Sequence, residues 1–385
     1  MLAVLALCPA VTQAQMSRLA PPDTSRANHF GSSIGLDGSL AVIGAPGSAV
    51  CGENSGAAYL YSRQSDGTWT LLQALAPSEC QPGHFFGKRV AISDSVAVVV
   101  SYRPFFSAAT SNTVHVFRPG PDGYWRPVQH IRQPDGDGSG VFGTSLALDA
   151  GRLVVSTSGD TSTGAYSGVV HVYEEDATGD FRLAHTVRPR VPPSVAISGS
   201  EVALDGDHMA IAGSSYAGDR PGIVSLYERS ATGTWEESGV IRGVDAFFPS
   251  IDLHGDRLAI GENRGGPNGS GRVRILQRRP DSTWYVQSTV LPRTPFPHGA
   301  FGTLVQLGEQ RLVAVGYDEQ LELDVNIDRI AYVFTETQER DWTQSQVIDV
   351  GRSSFATAVE MEGRIIFLGQ TSDDLPGQVW VAQIR

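Results

Sequence analysis

One phrase of sequence returns seven times along the chain at a nearly constant spacing. Each copy opens on a short aromatic–glycine or related step, continues into an alternating strand, a tight turn and a β-branched strand, and ends in a loop rich in glycine and serine. The first four copies begin 56 residues apart and the last three 54 residues apart. They begin at or near Phe30, Phe86, Phe142, Ser198, Phe247, Phe301 and Phe355. Such a fixed period indicates a stacked or radial array of one supersecondary unit.

Within each copy the pattern predicts four antiparallel strands joined as a meander. A turn such as Asp37-Gly38 joins strands one and two, and strand three recurs after a variable loop, first as GAAYLYSR. Asp-Gly and similar pairs favour tight hairpins, because their residues accept positive φ. Strand four opens on an aromatic residue in six copies: Trp69, Trp125, Phe181, Trp235, Trp284 and Trp342. We interpret these rings and the leading phenylalanines as packing anchors between neighbouring sheets, not as ligand contacts.

The two ends of the chain complete each other. The seventh copy stops at GQVWVAQIR, which is its strand three, so its strand four is missing. Near the N-terminus, QMSRLAPPDTSRANHFG aligns with TLLQALAPSECQPGHFFG, the strand four and linker of the first copy. A ring closed by both ends leaves no open end of the array. The sequence therefore predicts an all-β fold, a seven-bladed β-propeller of four-stranded antiparallel blades over residues 15–385, closed by the N-terminal strand.

Charge and motif content exclude several classes of function. The formal net charge of −12 at pH 7 argues against nucleic acid or an anionic membrane as partner, since phosphate binding needs clustered lysine and arginine. The chain has no P-loop, no HExxH and no zinc-spaced cysteine set, and no catalytic residue is assigned. His29, His84 and His298 recur just before leading phenylalanines, and we interpret them as linker residues.

The N-terminal segment predicts export. The chain is apolar from Met1 to Val11, and Ala14 with Thr12 two residues before it resembles a signal-peptidase site. We therefore expect residues 1–14 to be a signal peptide; the usual basic stretch is missing, so either the start lies upstream or the signal is atypical. The segment is too short to span a membrane, which takes about 20 apolar residues. We expect an extracellular, cell-surface or periplasmic protein.

One face of the predicted propeller carries nearly all the variation between copies. In a meander, the loops between strands two and three and the linkers to the next blade share this loop face, and the short hairpin turns share the opposite turn face. Cys51 and Cys80 both fall on the loop face of blade one, which predicts a disulfide in an exported protein. Residue types typical of interaction hot spots lie in its loops: Tyr102, Arg103, Phe105, Phe106, Tyr166, Tyr216, Arg264 and Tyr317. We predict that they bind a ligand; the alternative is that they only pack the loops together.

The repeated phrase also resembles a known family. FGSSIGLDGSLAVIGAP, followed by GAAYLYSR and TWTLLQAL, is similar to the FG-GAP repeat of integrin alpha-chain heads, and most of all to its bacterial branch in secreted and cell-surface proteins. The resemblance covers nearly all of the chain after residue 15, although Gly-Ala-Pro is intact only at residues 44–46. It implies a seven-bladed propeller with ligands at one face, and it leaves the function to be argued from the site.

Calcium loops are the family feature that the chain lacks. Integrin-type repeats often carry Asp-x-Asp-x-Asp-Gly loops between strands one and two, where this chain has short turns. A weak calcium candidate lies elsewhere, in the alternation of Asp324, Asn326 and Asp328, which has neither the turn glycine nor the closing carboxylate. We interpret it as a solvated acidic loop and expect no metal and no cofactor.

These observations predict an exported, non-catalytic monomer that binds a protein or a glycan through its loop face, with no nucleic acid and no membrane span. The first alternative is a propeller enzyme on extracellular polysaccharide, with two loop carboxylates as acid and base. The adjacent pairs Asp318-Glu319 and Asp373-Asp374 are interpreted as solvated. A second alternative is a stabilising module of a cell-envelope assembly. Carboxylates clustered around a central cavity would favour the enzyme, and a flat aromatic face would favour the binding protein.

Overall fold

The computed structural model describes seven four-stranded antiparallel sheets. The described residues are 15–25, 27–103, 112–134, 140–159, 168–189, 197–214, 222–246, 250–295, 297–317, 329–349 and 355–384. The predicted signal peptide, residues 1–14, lies outside them. In these parts of the chain the strands follow one another as a seven-bladed β-propeller, which confirms the fold predicted from the repeat.

The strands of the first four blades have the following bounds. Blade one contains β2 Ser33–Asp37, β3 Leu40–Ala45, β4 Ala57–Arg63 and β5 Trp69–Leu75; blade two contains β6 Arg89–Ser93, β7 Val96–Ser101, β8 Thr113–Pro119 and β9 Trp125–Arg132. Blade three contains β10 Val141–Asp149, β11 Arg152–Ser158, β12 Val169–Glu175 and β13 Phe181–Val187; blade four contains β14 Ile197–Asp205, β15 His208–Ser214, β16 Gly222–Arg229 and β17 Trp235–Val244.

The remaining three blades complete the ring. Blade five contains β18 Ser250–His254, β19 Arg257–Glu262, β20 Arg272–Arg278 and β21 Trp284–Val290, with a 3₁₀ turn at Pro267–Gly269. Blade six contains β22 Leu304–Leu307, β23 Arg311–Tyr317, β24 Arg329–Glu336 and β25 Trp342–Asp349; blade seven contains β26 Phe355–Glu362, β27 Ile365–Thr371, β28 Gln378–Gln383 and, from the other end of the chain, β1 Gln15–Leu19. Strand four opens on the predicted aromatic residue in all six blades that have one.

The N-terminal strand closes the ring. β1 pairs antiparallel with β28, from Gln15 opposite Gln383 to Leu19 opposite Val379. β1 therefore takes the place of the fourth strand that blade seven lacks, as the sequence predicts.

The outermost strand of blades one to six carries one extra residue at the same position. In blade one, Leu60 pairs with Gln73 and Tyr61 pairs with Leu71, so Leu72 has no partner. The corresponding extra residues are Val128, Ala184, Ser238, Gln287 and Ser345. A bulge twists an edge strand and hinders pairing with another molecule. β1 follows a regular register over all five of its paired residues.

The aromatic anchors pack between blades. Phe30 and Phe86 are completely buried. The Phe30 ring packs against Tyr59 of its own blade and lies in the same hydrophobic cluster as residues of blade seven. Trp69 meets the Phe367 ring of blade seven edge-on, with ring centroids 5.0 Å apart. This placement supports the interpretation of these rings as scaffold.

The glycines of the repeat allow two blades to touch. Gly87 follows the leading phenylalanine of blade two and has a φ of +91°, a left-handed conformation that glycine adopts without strain. A Cβ on Gly44 of blade one would collide with the carbonyl oxygen of Gly87. The same pairing joins Gly261 to Gly302, and Gly369 to Gly31. The repeated glycines therefore mark contacts between successive blades.

A carboxylate at the end of strand one also links each of several blades to the next. Asp37 Oδ2 accepts a hydrogen bond from the backbone N–H of Asp94, at 2.8 Å, and Asp149 Oδ2 accepts one from Gly206, at 2.7 Å. Glu362 Oε2 accepts from the N–H of Gly38, at 2.7 Å, and so joins blade seven to blade one. These carboxylates at the ends of the first strands thus link neighbouring blades.

Candidate functional site

Strand one of every blade lines a central channel of about 370 Å³. Most of the lining side chains are small or apolar. Charged side chains come from four of the blades: Arg89 on β6, Glu201 on β14, Asp252 on β18 and Glu360 on β26. The channel therefore collects three carboxyl groups and one guanidinium group that lie far apart in the sequence.

Enclosure in the channel raises the pKa of these carboxyl groups. Burial raises the pKa of Glu201 to about 7, against the lowering effects of the Ile251 N–H and the Arg89 guanidinium. Burial likewise raises the pKa of Asp252 to about 7, although its Oδ2 accepts the N–H of Leu307 at 2.6 Å. These groups are therefore poised to gain or lose protons near neutral pH.

The pKa of Glu360, the third carboxyl group of the channel, is also raised. Burial raises its pKa well above the usual range, and the neighbouring charges of Asp252 and Glu201 raise it further. Two or three carboxylates that share one enclosed space resist ionising together. The channel is therefore a coupled set of acids.

On the loop face, a covalent link holds the loop of blade one to the following linker. Cys51 and Cys80 form a disulfide, with their Cα atoms 5.9 Å apart. The backbone adds hydrogen bonds beside it, from Gly83 N–H to Glu53 O and from Phe85 N–H to Asn54 O, both at 2.9 Å. The linker that leads into blade two is thus anchored along its length.

Tyr102 and Arg103 stand next to this anchored linker. The Tyr102 N–H donates to His84 O at 2.9 Å, and its ring lies against the Phe85 ring, with centroids 6.4 Å apart. The Arg103 guanidinium contacts His84 Nε2 and donates to Gln81 Oε1 at 3.3 Å. Burial and the Arg103 charge lower the pKa of His84. Both Tyr102 and Arg103 remain partly exposed, and together they form a patch that we call the Tyr102–Arg103 patch.

The other predicted ligand-binding residues lie elsewhere or outside the described part of the chain. Arg264 lies in the loop of blade five, three blades further round the ring, where its N–H donates to Asp245 O at 3.0 Å. Tyr317 ends β23 in blade six, with its backbone opposite Arg329. Phe105, Phe106, Tyr166 and Tyr216 fall outside the described residues, as do Asp324, Asn326 and Asp328 of the calcium candidate. The described structure brings together only Tyr102 and Arg103 from the predicted set.

A comparison with protein-family models matches the same repeat. The FG-GAP repeat model matches residues 14–61, which span β1 to β4, and residues 125–173, which span β9 to most of β12. The chain contains FG-GAP repeats. No curated protein matches the chain. The resemblance of the repeated phrase to the FG-GAP repeat is therefore confirmed in these two segments.

The described part of the chain has neither a membrane-spanning helix nor a large cluster of metal-ligating residues. No helix in the described segments is long and apolar enough to cross a membrane. Within the same ranges, no group of three or more His, Cys, Asp or Glu residues is arranged to hold a metal ion.

Sequence reasoning missed the channel of the FG-GAP propeller, although the sequence contains a signal for it. Two residues before the end of strand one, the first two blades have Gly35 and Ala91, whereas blades five and seven have Asp252 and Glu360. A charged residue at a position that is small in other blades indicates a side chain facing an enclosed space. The signal becomes visible only when the seven copies are aligned strand by strand.

Proposed function

We propose that this FG-GAP propeller is an exported, non-catalytic monomer that binds a protein or a glycan through its loop face. FG-GAP repeats are typical of extracellular proteins, which supports export. If residues 1–14 are a signal peptide, the N-terminus of the exported protein, read by mass spectrometry, begins at Gln15. An exported protein that keeps residues 1–14 would contradict this part of the proposal.

The Tyr102–Arg103 patch is the observation that carries the proposal. Tyrosine and arginine are enriched among the residues that dominate binding energy. Here both side chains rest on a linker that is held by a disulfide and by backbone hydrogen bonds. Side chains that are already positioned lose less conformational entropy on binding, so more of the contact energy appears as affinity.

The test compares the patch with an equivalent pair on the opposite face. Ligands are first found by glycan array and pull-down with the exported form. The double variant Tyr102→Ala, Arg103→Ala should then bind at least tenfold more weakly, which corresponds to about 1.4 kcal/mol. The matched control is Tyr124→Ala, Arg126→Ala, since Arg126 lies over the Tyr124 ring, 5.1 Å from its centroid, near the turn face of the same blade. Two outcomes would refute binding through the Tyr102–Arg103 patch: equal affinity in the patch variant and the wild type, or an equal loss of affinity in the patch variant and the control variant.

The channel favours one second candidate, a propeller enzyme that acts on extracellular polysaccharide. A glycosidase needs one carboxyl group that keeps its proton and a second that ionises. Glu201, Asp252 and Glu360 gather around the central cavity with raised pKa values, although they belong to strands, whereas the sequence pointed to loop carboxylates. Release of reducing ends from a polysaccharide panel, abolished in Glu201→Gln or Glu360→Gln, would support the enzyme. No release by the wild type would reject it.

A further inference from the structure

Two imidazole rings of blade two face each other near the loop face. His115 on β8 lies opposite His130 on β9, and their Nδ1 atoms are 3.0 Å apart. The rings are almost perpendicular, with centroids 4.9 Å apart. His115 is buried, whereas His130 is exposed to solvent. The pair therefore presents one nitrogen from the interior and one from the surface to the same point.

The Ser101 hydroxyl contacts the second ring nitrogen of His115, Nε2. The Ser101 hydroxyl donates to the carbonyl oxygen of Thr113, at 3.4 Å, and its oxygen lies 3.0 Å from His115 Nε2. When the hydroxyl proton goes to the Thr113 carbonyl, Nε2 donates to the serine oxygen and the lone pair of His115 is on Nδ1. Metal-binding histidines are typically held in this way, by a hydrogen bond from the nitrogen that does not bind the metal.

We propose that His115 and His130 bind a divalent copper ion through their two Nδ1 atoms. Two metal–nitrogen bonds of about 2.1 Å, drawn to one ion across the 3.0 Å gap, enclose an angle of about 90°. This angle suits square-planar or octahedral ions and is narrower than a tetrahedral zinc site requires. Among such ions Cu²⁺ binds nitrogen sites more tightly than Ni²⁺ or Zn²⁺. Water or a donor atom of a bound partner fills the positions on the exposed side.

When the ion binds, the ring proton of His130 moves from Nδ1 to Nε2. In the tautomer that leaves the His115 lone pair on Nδ1, and without metal, His130 Nδ1–H donates to His115 Nδ1, and His130 Nε2 accepts from the Ser78 hydroxyl, whose oxygen is 3.3 Å away. With metal, the lone pair of His130 Nδ1 binds the ion, and the ring carries its proton on Nε2, which then donates to the Ser78 oxygen. No net proton is released in this exchange.

Blade three provides a natural model for breaking the pair. His171 on β12 occupies the position of His115, and Thr186 opposite it on β13 occupies the position of His130. Threonine therefore fits this site of the blade, with its Oγ1 3.5 Å from His171 Nδ1. His130→Thr removes one imidazole and leaves an arrangement that the fold already accepts.

The experiment measures copper binding by untagged protein in a buffer that does not coordinate metals. Titration calorimetry with CuCl₂ should give one saturable site in the wild type, and electron paramagnetic resonance should show coupling to two imidazole nitrogens. In His130→Thr the affinity should fall at least tenfold and the two-nitrogen coupling should disappear. The matched control is His254→Thr, because His254 is an exposed histidine of blade five, and it should bind like the wild type. A wild type without a saturable site, or a His130→Thr variant that keeps the affinity and the signal, would overturn the proposal.

Discussion

Replacing Glu201 by glutamine should stabilise the propeller at neutral pH. The folded protein holds this carboxyl group with a pKa of about 7, whereas the unfolded chain holds it near the ordinary value of 4.5. Glutamine has nearly the same shape, keeps a carbonyl oxygen for the Ile251 N–H and carries no charge. The variant therefore removes the penalty of ionising a carboxyl group inside the channel and leaves the packing unchanged.

The size of this stabilisation follows from the difference between the pKa of Glu201 in the folded protein and its pKa in the unfolded chain. One pKa unit corresponds to about 1.4 kcal/mol, so the folded state loses up to about 3 kcal/mol when Glu201 ionises. Between pH 4.5 and 7 the folded state binds more protons than the unfolded state, so stability falls as the pH rises through this window. Above pH 7 the full penalty is present. The stability that the protonated group contributes is thus complete below pH 4.5 and lost above pH 7.

Urea unfolding of the wild type and the variant at pH 5 and pH 8 measures this difference. The advantage of Glu201→Gln over the wild type should grow by about 2.5 kcal/mol from pH 5 to pH 8. The control is Glu236→Gln, an exposed glutamate of the same blade, which should follow the wild type at both pH values. Parallel behaviour of Glu201→Gln and the wild type would show that the channel does not hold the proton, and would refute the reasoning.

Three further perturbations test the contacts that stabilise the propeller and close its ring. Replacing Cys51 and Cys80 by serine opens a loop with a sequence separation of 29 residues and should lower the free energy of unfolding by about 3 kcal/mol, measured by urea titration. Gly87→Ala should destabilise by about 3 kcal/mol or more, because a Cβ there collides with backbone of blade one, whereas Gly83→Ala, with open space around it, should lose only about 1 kcal/mol; equal losses would contradict the contact. Deleting residues 15–19 exposes the edge of β28 and should produce oligomers in size-exclusion chromatography, and a monomeric deletion variant would argue against this role of β1.

The fold was predictable because one period carries it. Each copy repeats the same strand and turn residues, so a strand that is ambiguous in one blade can be assigned from the others. The segment that begins near Gln15 aligns with strand four of the first copy, which predicts its place in the ring. Trp69 and Phe86 were identified as packing residues because they recur at fixed positions. A recurring residue is fixed by the shared scaffold and not by a ligand.

The candidate sites were harder to predict, since they lie where the repetition stops. Tyr102 and Arg103 sit at the end of a strand, so their position could be inferred, but their support by His84 and Phe85 depends on how the linker folds. The clustering of Glu201 with Glu360 depends on which strand positions face the axis. The pairing of His115 with His130 requires the cross-strand register of blade two, which sequence spacing alone does not determine.

The pairing of β1 with β28 also determines when the ring can close during protein synthesis. Gln15 is among the first residues of the propeller to be synthesised, and its partner Gln383 is among the last. At about 5–20 residues per second, the two are made tens of seconds apart. During that time the first blades can form, but the ring cannot close. The propeller can therefore complete its last seam only once β28 has left the ribosome.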